Sequence, residues 1–236
     1  MFTLFFVEDL PTTVGAHYEF KNDDAHHAIR VLRTQVADQF MLSDGNGAWS
    51  KVTATEIKKK SMMVQVLDSG FQEPLSTKIT VVQALPKGDR SKEAIELLTE
   101  AGVDTIVPWL ATRSIGKTSE KFQITAREAS KQSRRFRIPE VTGVAQTSQI
   151  CEAIKLSDLA IVFHESSDTK LSDQITSHNV EKLLIIIGPE GGITDEELAA
   201  FTQAGAKTAL MGRPILRSAH AGIAAVSAVS ALLKVW

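Results

Sequence analysis

Apolar positions repeat in two different ways along this chain, and the change falls close to residue 74. Before it, short apolar runs alternate with turns. Phe2 to Val7 is rich in strand formers, Gln39 to Ser43 leads into the turn Asp44-Gly45-Asn46-Gly47, and Ser61 to Leu67 alternates loosely. One short helix fits Asp24 to Leu32. These features predict a small β-barrel over residues 1–73, with Gly70 to Thr77, which contains Pro74, as the linker. From Lys78 onward strands and helices alternate. Ile79 to Leu85 reads as an apolar strand. Ala94, Leu97, Leu98 and Ala101 fall at helical spacing, Gly102 stops that helix, and Val103 to Pro108 is the next strand. Leu159 to Phe163, Leu183 to Ile187 and Thr208 to Leu210 complete the strand set. Apolar strands separated by helices predict an α/β domain over 74–236, its parallel sheet covered on both faces.

The strongest local signal is Ile187-Gly188-Pro189-Glu190-Gly191-Gly192, between a buried strand and a helix. Open α/β sheets place ligands at such carboxyl ends, and glycine lets backbone groups approach a ligand closely. The helix that follows opens Thr194-Asp195-Glu196-Glu197, with the spacing of a capping box. Carboxylates at Glu190, Asp195, Glu196 and Glu197 disfavour a phosphate, and the lysine of a P-loop is missing. A nucleotide-dependent enzyme is therefore the weakest reading, whereas a phosphate-free adenosine ligand bearing a positive sulfonium suits the loop. A second turn, Leu210-Met211-Gly212-Arg213-Pro214-Ile215-Leu216-Arg217, again joins a strand to a helix.

Net charge changes the picture less than its distribution. The 236 residues carry 26 Lys and Arg against 28 Asp and Glu, a formal charge of −2. Yet Arg113, Lys117, Lys121, Arg127, Lys131, Arg134, Arg135 and Arg137 lie between 113 and 137 against only Glu120 and Glu128. Such segregation is a local nucleic-acid footprint. Arg127, Lys131 and Arg134, spaced by four and three, are expected to share one helix face for phosphate contacts, while Phe122, Ala126 and Ala129 face the core. The single cysteine, Cys151, excludes an internal disulfide and fits a reducing cytosol. The N-terminus lacks the features of a secretory signal. The longest uncharged run, Ser218 to Leu233, is too short to span a bilayer and predicts a buried helix. The paired His26-His27 has no second ligand pair at metal-binding spacing, so no metal is expected.

Taken together these blocks resemble the RsmE family of SPOUT-superfamily methyltransferases. The similarity rests on His26-His27-Ala28-Ile29-Arg30-Val31-Leu32-Arg33 with Asp44 to Gly47, and on Gln83-Ala84-Leu85-Pro86-Lys87-Gly88-Asp89-Arg90 with Ala101 to Pro108. It continues through Glu128 to Arg135 ending at Ile138-Pro139, Ile187 to Gly192 and Met211 to Arg217. The blocks span nearly the whole chain in the expected order.

The resemblance implies a SPOUT-type trefoil-knotted parallel-sheet domain, an N-terminal PUA-like β-barrel, a cytoplasmic homodimer and no membrane partner. It implies S-adenosyl-L-methionine held in bent form by three loops. The first is Phe163, His164 and Glu165; the second is Ile187, Gly188, Pro189, Glu190, Gly191 and Gly192. Leu210, Met211, Gly212, Ile215, Leu216 and Arg217 form the third. The implied substrate is N3 of a uridine in the decoding region of 16S rRNA, in the small ribosomal subunit. Expected RNA contacts are Arg30 and Arg33 in the barrel, Arg90 and Arg113, and the group Arg127, Lys131, Arg134 and Arg135. Arg217 or Arg134 is the candidate catalytic cation, and His164, Glu165 and Glu190 are candidate bases. Many family members carry Thr-Glu-Thr-Ala after the Leu-Arg pair. Here Ser218-Ala219-His220-Ala221 follows, so Ala219 stands where glutamate is common. Competing readings are another SPOUT methyltransferase acting on a different base or a ribose 2′-hydroxyl, and a non-catalytic rRNA-binding or assembly module.

Overall fold

The computed structural model describes residues 2–235, which divide into two compact units. The first takes residues up to 74 together with 130–138; the second takes 75–129 and the residues from 139 onward. Residues 130–138, which the sequence pattern left with the larger part, are thus counted with the smaller.

In the first unit β1 (Leu4–Phe6), β2 (His17–Phe20), β3 (Gln39–Ser43), β4 (Ala48–Ile57) and β5 (Met62–Phe71) form one mixed sheet in the order β1-β3-β4-β5-β2. Only β1 and β3 run parallel; the other pairs are antiparallel. Breaks in the β4–β5 register at Lys51/Val52 and Ala54/Glu56 bend the sheet around its core, giving a half-barrel. That core is aromatic, with Phe5, Phe20 and Phe40 at centroid spacings of 5.5–5.9 Å. Helix α1 (Asp23–Arg30) closes it with the buried Ala25 and Ala28, and the Asn22 side chain caps the helix by accepting from Ala25 N. The strands β2 and β4 escaped the sequence pattern, because β2 buries only Phe20 and the inward side of β4 mixes Ser50 and Ala54 with Val52, a weak apolar signal.

The second unit holds β6 (Lys78–Ala84), α2 (Arg90–Glu100), β7 (Thr105–Trp109), α3 (Phe122–Ser133, its last turn belonging to the first unit) and β8 (Glu140–Val141). Next come α4 (Thr147–Lys155), β9 (Leu159–Phe163), α5 (Leu171–Gln174) and β10 (Lys182–Ile187). The chain continues through α6 (Asp195–Gln203), β11 (Lys207–Ala209) and α7 (Ser218–Leu233). The six strands are all parallel in the order β11-β9-β10-β6-β7-β8.

Alternation along the strands splits the core into two layers. Ile79, Val81, Leu183, Ile185 and Ile187 face one side with α2 and α7. Val82, Ala84, Leu184 and Ile186 face the other, where Trp109 and Phe201 meet edge to face at 5.1 Å. The expected burial of Phe122, Ala126 and Ala129 on α3 is observed, as is the burial of one side of α7. Gly222 lets α7 approach α2, since a Cβ there would stand 2.8 Å from Leu98 Cδ2.

Helix α3 ends differently from the expected pattern. Arg134 has φ of +59°, in the left-handed region, and so has left the helix. Arg135 N donates to Ser130 O and Arg134 N to Lys131 O, the two closures of a Schellman motif. The expected single face of Arg127, Lys131 and Arg134 is therefore corrected to Arg127 and Lys131 alone, and Lys131 is taken by Asp24 of α1 at 2.6 Å. The nine residues 130–138 are fixed in the first unit by side-chain contacts that periodicity does not encode. Phe136 stacks on Trp49 at 5.8 Å, and Arg137 donates twice to Gln72 O.

Candidate functional site

The chain runs from β6 outward to β7 and β8, then crosses to β9, and β10 fills the position between β9 and β6. This is a topological switch point, where open parallel sheets bind ligands beyond the strands' carboxyl ends. Here the carboxyl ends of β9 and β10 carry the loops 163–165 and 187–192, and the segment 210–217 follows β11.

The three loops surround two adjoining cavities of about 450 and 320 Å³. Phe163, His164, Glu165, Ile215 and Leu216 line both. The larger adds Ile187 to Gly192 together with Arg217; the smaller adds Leu210, Met211 and Gly212. Every residue assigned to the three loops from the sequence thus lies on one of these walls. Arg90, expected on RNA, is also on the larger cavity's wall, with Nη1 3.8 Å from Glu190 Oε1. Arg113, expected there too, donates from Nη1 to Gly191 O at 3.0 Å. Arg134 belongs to the first unit and Arg217 to the second.

Local sequence explains the loop's shape. A Cβ on Gly188 would stand 2.7 Å from Ile193 Cγ1, so only glycine lets the chain turn against that buried side chain. Gly192 has φ of +78° and donates to Pro189 O at 2.9 Å, closing a tight turn. Thr194 and Glu197 then form the expected capping box. Glu197, 4% exposed, reaches further: its Oε1 accepts from Thr112 N at 2.7 Å and Thr112 Oγ1 at 2.9 Å. This carboxylate therefore locks the start of α6 to the segment after β7 and is unavailable to a ligand.

The electrostatics are acidic at the loop and cationic at the rim. Glu190 Oε1 accepts from Lys87 N at 3.3 Å, while its Oε2 is buried without a hydrogen-bond partner among the described residues. Glu196 is held below the usual carboxylate range by its own backbone amide, then by the Thr194 hydroxyl, with a smaller contribution from Arg113. Arg217, N-terminal to α7, is exposed on the cavity wall. Leu210, Ile215 and Leu216 are exposed apolar side chains on the same walls, Ile215 being 82% exposed.

His164 Nδ1 lies 2.7 Å from Ser166 Oγ, and His220 Nε2 pairs with Glu93 Oε1 at 2.9 Å on α2. Ala219 is buried. Sequence reading missed Ser218 and Ala221 on the cavity wall, and it missed Gln83 behind Ser218. The available signal for Gln83 was an amide within an otherwise apolar strand end.

Among the described residues no group of three or more His, Cys, Asp or Glu is arranged to hold a metal, and no helix is long and apolar enough to cross a membrane.

A family model described as an RNA methyltransferase domain matches residues 73–230, and one described as an RNA methyltransferase PUA domain matches residues 20–67. The chain is 36% identical to the ribosomal RNA small subunit methyltransferase E of Mycobacterium tuberculosis, over 99% of this chain and 93% of that protein. It is 28% identical to the Bacillus subtilis protein of the same name, over 95% and 91% of the two chains. A crystal structure of a ribosomal RNA small subunit methyltransferase E from Neisseria gonorrhoeae bound to S-adenosyl methionine matches with a TM-score of 0.87. Its identity is 24%, with 98% of each chain covered. A probable rRNA-methyltransferase from Porphyromonas gingivalis matches at 0.81 and 26% identity, again over 98% of each chain.

Proposed function

The chain belongs to the ribosomal RNA small subunit methyltransferase E family, and on that premise we propose that it methylates N3 of a uridine in the decoding region of 16S rRNA, with S-adenosylmethionine as methyl donor. The observation that carries this reading is the convergence of three loops on the cavities beyond β9, β10 and β11. Their volumes fall within the roughly 300–1,000 Å³ usual for small-molecule sites.

The donor set fits the cofactor. Phe163, Ile187, Ile215 and Leu216 supply apolar surface for an adenosine, and Glu165 and Glu190 supply negative charge for a sulfonium. The unpartnered Glu190 Oε2 is an acceptor that a cationic ligand would satisfy. The acidic first turn of α6, Asp195-Glu196-Glu197, disfavours a phosphate there. When bound, the cofactor supplies an electrophilic methyl group.

The protein's own work is orientation and charge. Holding an unstacked uracil at near-attack distance contributes most of the acceleration expected of such a site. N3 carries a proton, which His164, Glu165, Glu190 or water would accept, and as it leaves, negative charge develops on O2 and O4. Arg217, on the cavity wall, would stabilise that charge; Arg134 is the alternative cation. Arg30 and Arg33, both exposed, would dock RNA through the first unit.

A homodimer is supported by the half-buried face of α7, where Ile223, Ala224, Ser227 and Ala228 are small or apolar. A C-terminal trefoil knot is part of this reading through the family resemblance. A cytoplasmic location is supported by the single unpaired cysteine.

The experiment is methyl transfer from labelled S-adenosylmethionine into small ribosomal subunits lacking the modification, followed by nucleoside identification. Recovery of 3-methyluridine is expected. A labelled 2′-O-methyl nucleoside would replace this reading with ribose methylation. Cofactor binding without transfer would favour the rRNA-binding module, for which Ala219, standing where glutamate is common in the family, is the one sequence argument.

A further inference from the structure

One buried hydroxyl joins three segments that meet at the cavity. Ser218 Oγ donates to Gly188 O at 2.7 Å and accepts from Gln83 Nε2 at 2.9 Å. Gln83 lies at the end of β6, fully buried, and is the register partner of Ile187 on β10. Gly188 opens the glycine loop, and Ser218 is the first residue of α7, directly after Arg217. Both Gly188 and Ser218 line the larger cavity.

The direction of this relay is fixed by chemistry. Gln83 Nε2 also donates to Ala84 O at 3.1 Å, so a flipped amide would set oxygen against oxygen there. With the amide nitrogen facing Ser218, the hydroxyl has a single proton to give, and Gly188 O receives it. Gln83 Oε1 is left buried without a hydrogen-bond partner among the described residues, so this orientation is kept at a cost rather than by default.

We propose that Ser218 is a positioning residue for methyl transfer, held in orientation by Gln83. It sets the spacing between the glycine loop and Arg217, and thereby the width of the cofactor cavity. Among the described residues no backbone hydrogen bond from β10 performs this task, because Gly188 O lies one residue beyond the strand. The chain relies instead on a side chain from α7, a helix that follows thirty residues later, so cavity geometry is completed only when α7 has docked.

The proposal rests on the methyltransferase reading above, and the test separates the two. S-adenosylmethionine binding is measured by calorimetry for the wild-type protein and for Ser218→Ala, Gln83→Leu and the double variant, with melting temperature recorded for each. Val229→Ala, a core substitution on α7 remote from the relay, serves as the stability control. Ser218→Ala is expected to weaken cofactor affinity about tenfold, as the loss of one well-made buried hydrogen bond does. KM for the cofactor should rise more than kcat falls. Gln83→Leu should weaken affinity less, and the double variant no more than Ser218→Ala alone, since the two residues act through one bond. Val229→Ala should lower the melting temperature and leave cofactor affinity unchanged. Wild-type affinity in Ser218→Ala, additive losses in the double variant, or an equal affinity loss in Val229→Ala would each overturn the proposal. If the wild-type protein itself failed to bind S-adenosylmethionine, the methyltransferase reading would fall instead.

Discussion

The ammonium of Lys131 lies 2.6 Å from the carboxylate of Asp24, and the two side chains are only 12% and 13% exposed. A residue that looks, in sequence, like part of a phosphate-binding stripe is therefore spent on an internal pair. Removing one member of a mostly buried pair takes away the other's closest counter-charge and costs about 3 kcal/mol. Lys131→Met is expected to lower the melting temperature by several degrees and to leave the salt dependence of rRNA binding unchanged. Arg30→Ala should do the reverse, reducing the slope of log K against log salt by about one. A salt slope altered by Lys131→Met at unchanged stability would place Lys131 on RNA after all.

Glu197 accepts three hydrogen bonds outside its own helix interior, from Thr112 N, Thr112 Oγ1 and Thr194 N. Its replacement by alanine strands buried donors on two segments and should destabilise the protein by about 3 kcal/mol. Glu197→Gln turns an amide donor toward one of those N–H groups and should recover only part of the loss. Chemical denaturation of the three proteins checks this; equal midpoints would show that the carboxylate is not structural.

Arg217 has no side-chain role in capping α7, although it stands at the helix start. Arg217→Ala should therefore keep the fold while lowering kcat at saturating cofactor by about 10²-fold, the scale of one lost electrostatic stabiliser. Single-turnover rates with saturating cofactor decide it. An unchanged rate would end the assignment of charge stabilisation to this residue.

Glu196 is held below the ordinary carboxylate range by its own amide and the Thr194 hydroxyl. Its sign follows from linkage: a depressed folded-state pKa stabilises the protein above the unfolded value, and that share disappears as pH falls through the folded one. Below neutral pH the melting temperature of Glu196→Gln should fall less steeply than that of the wild type, the curves converging in acid. Parallel curves would show that this fully exposed group carries no linkage.

Strand and helix alternation after Lys78, the two glycine turns and the capping box at Thr194 were all legible as local patterns. Each depends on neighbours within about one turn or one strand, which is the range over which spacing constrains side-chain direction. The half-barrel was legible only in part, since the inward positions of β4 are Ser50, Val52 and Ala54, a weak apolar signal that two register shifts interrupt.

By itself, the sequence determined the alternation of elements, the acidic character of the glycine loop and the apolar, buried nature of α7. The tertiary structure alone decided where particular polar groups were used. It gave Lys131 to Asp24, Arg113 to Gly191, Arg90 to the cavity wall and Ser218 to the bond between Gln83 and Gly188. Such pairings join residues separated by up to 135 positions, as Gln83 and Ser218 are. A charged or hydroxyl side chain on a helix has the same periodicity whether it meets solvent, a ligand or a partner strand. Only the packed core, by fixing which segments come within hydrogen-bond distance, settles which of these it meets.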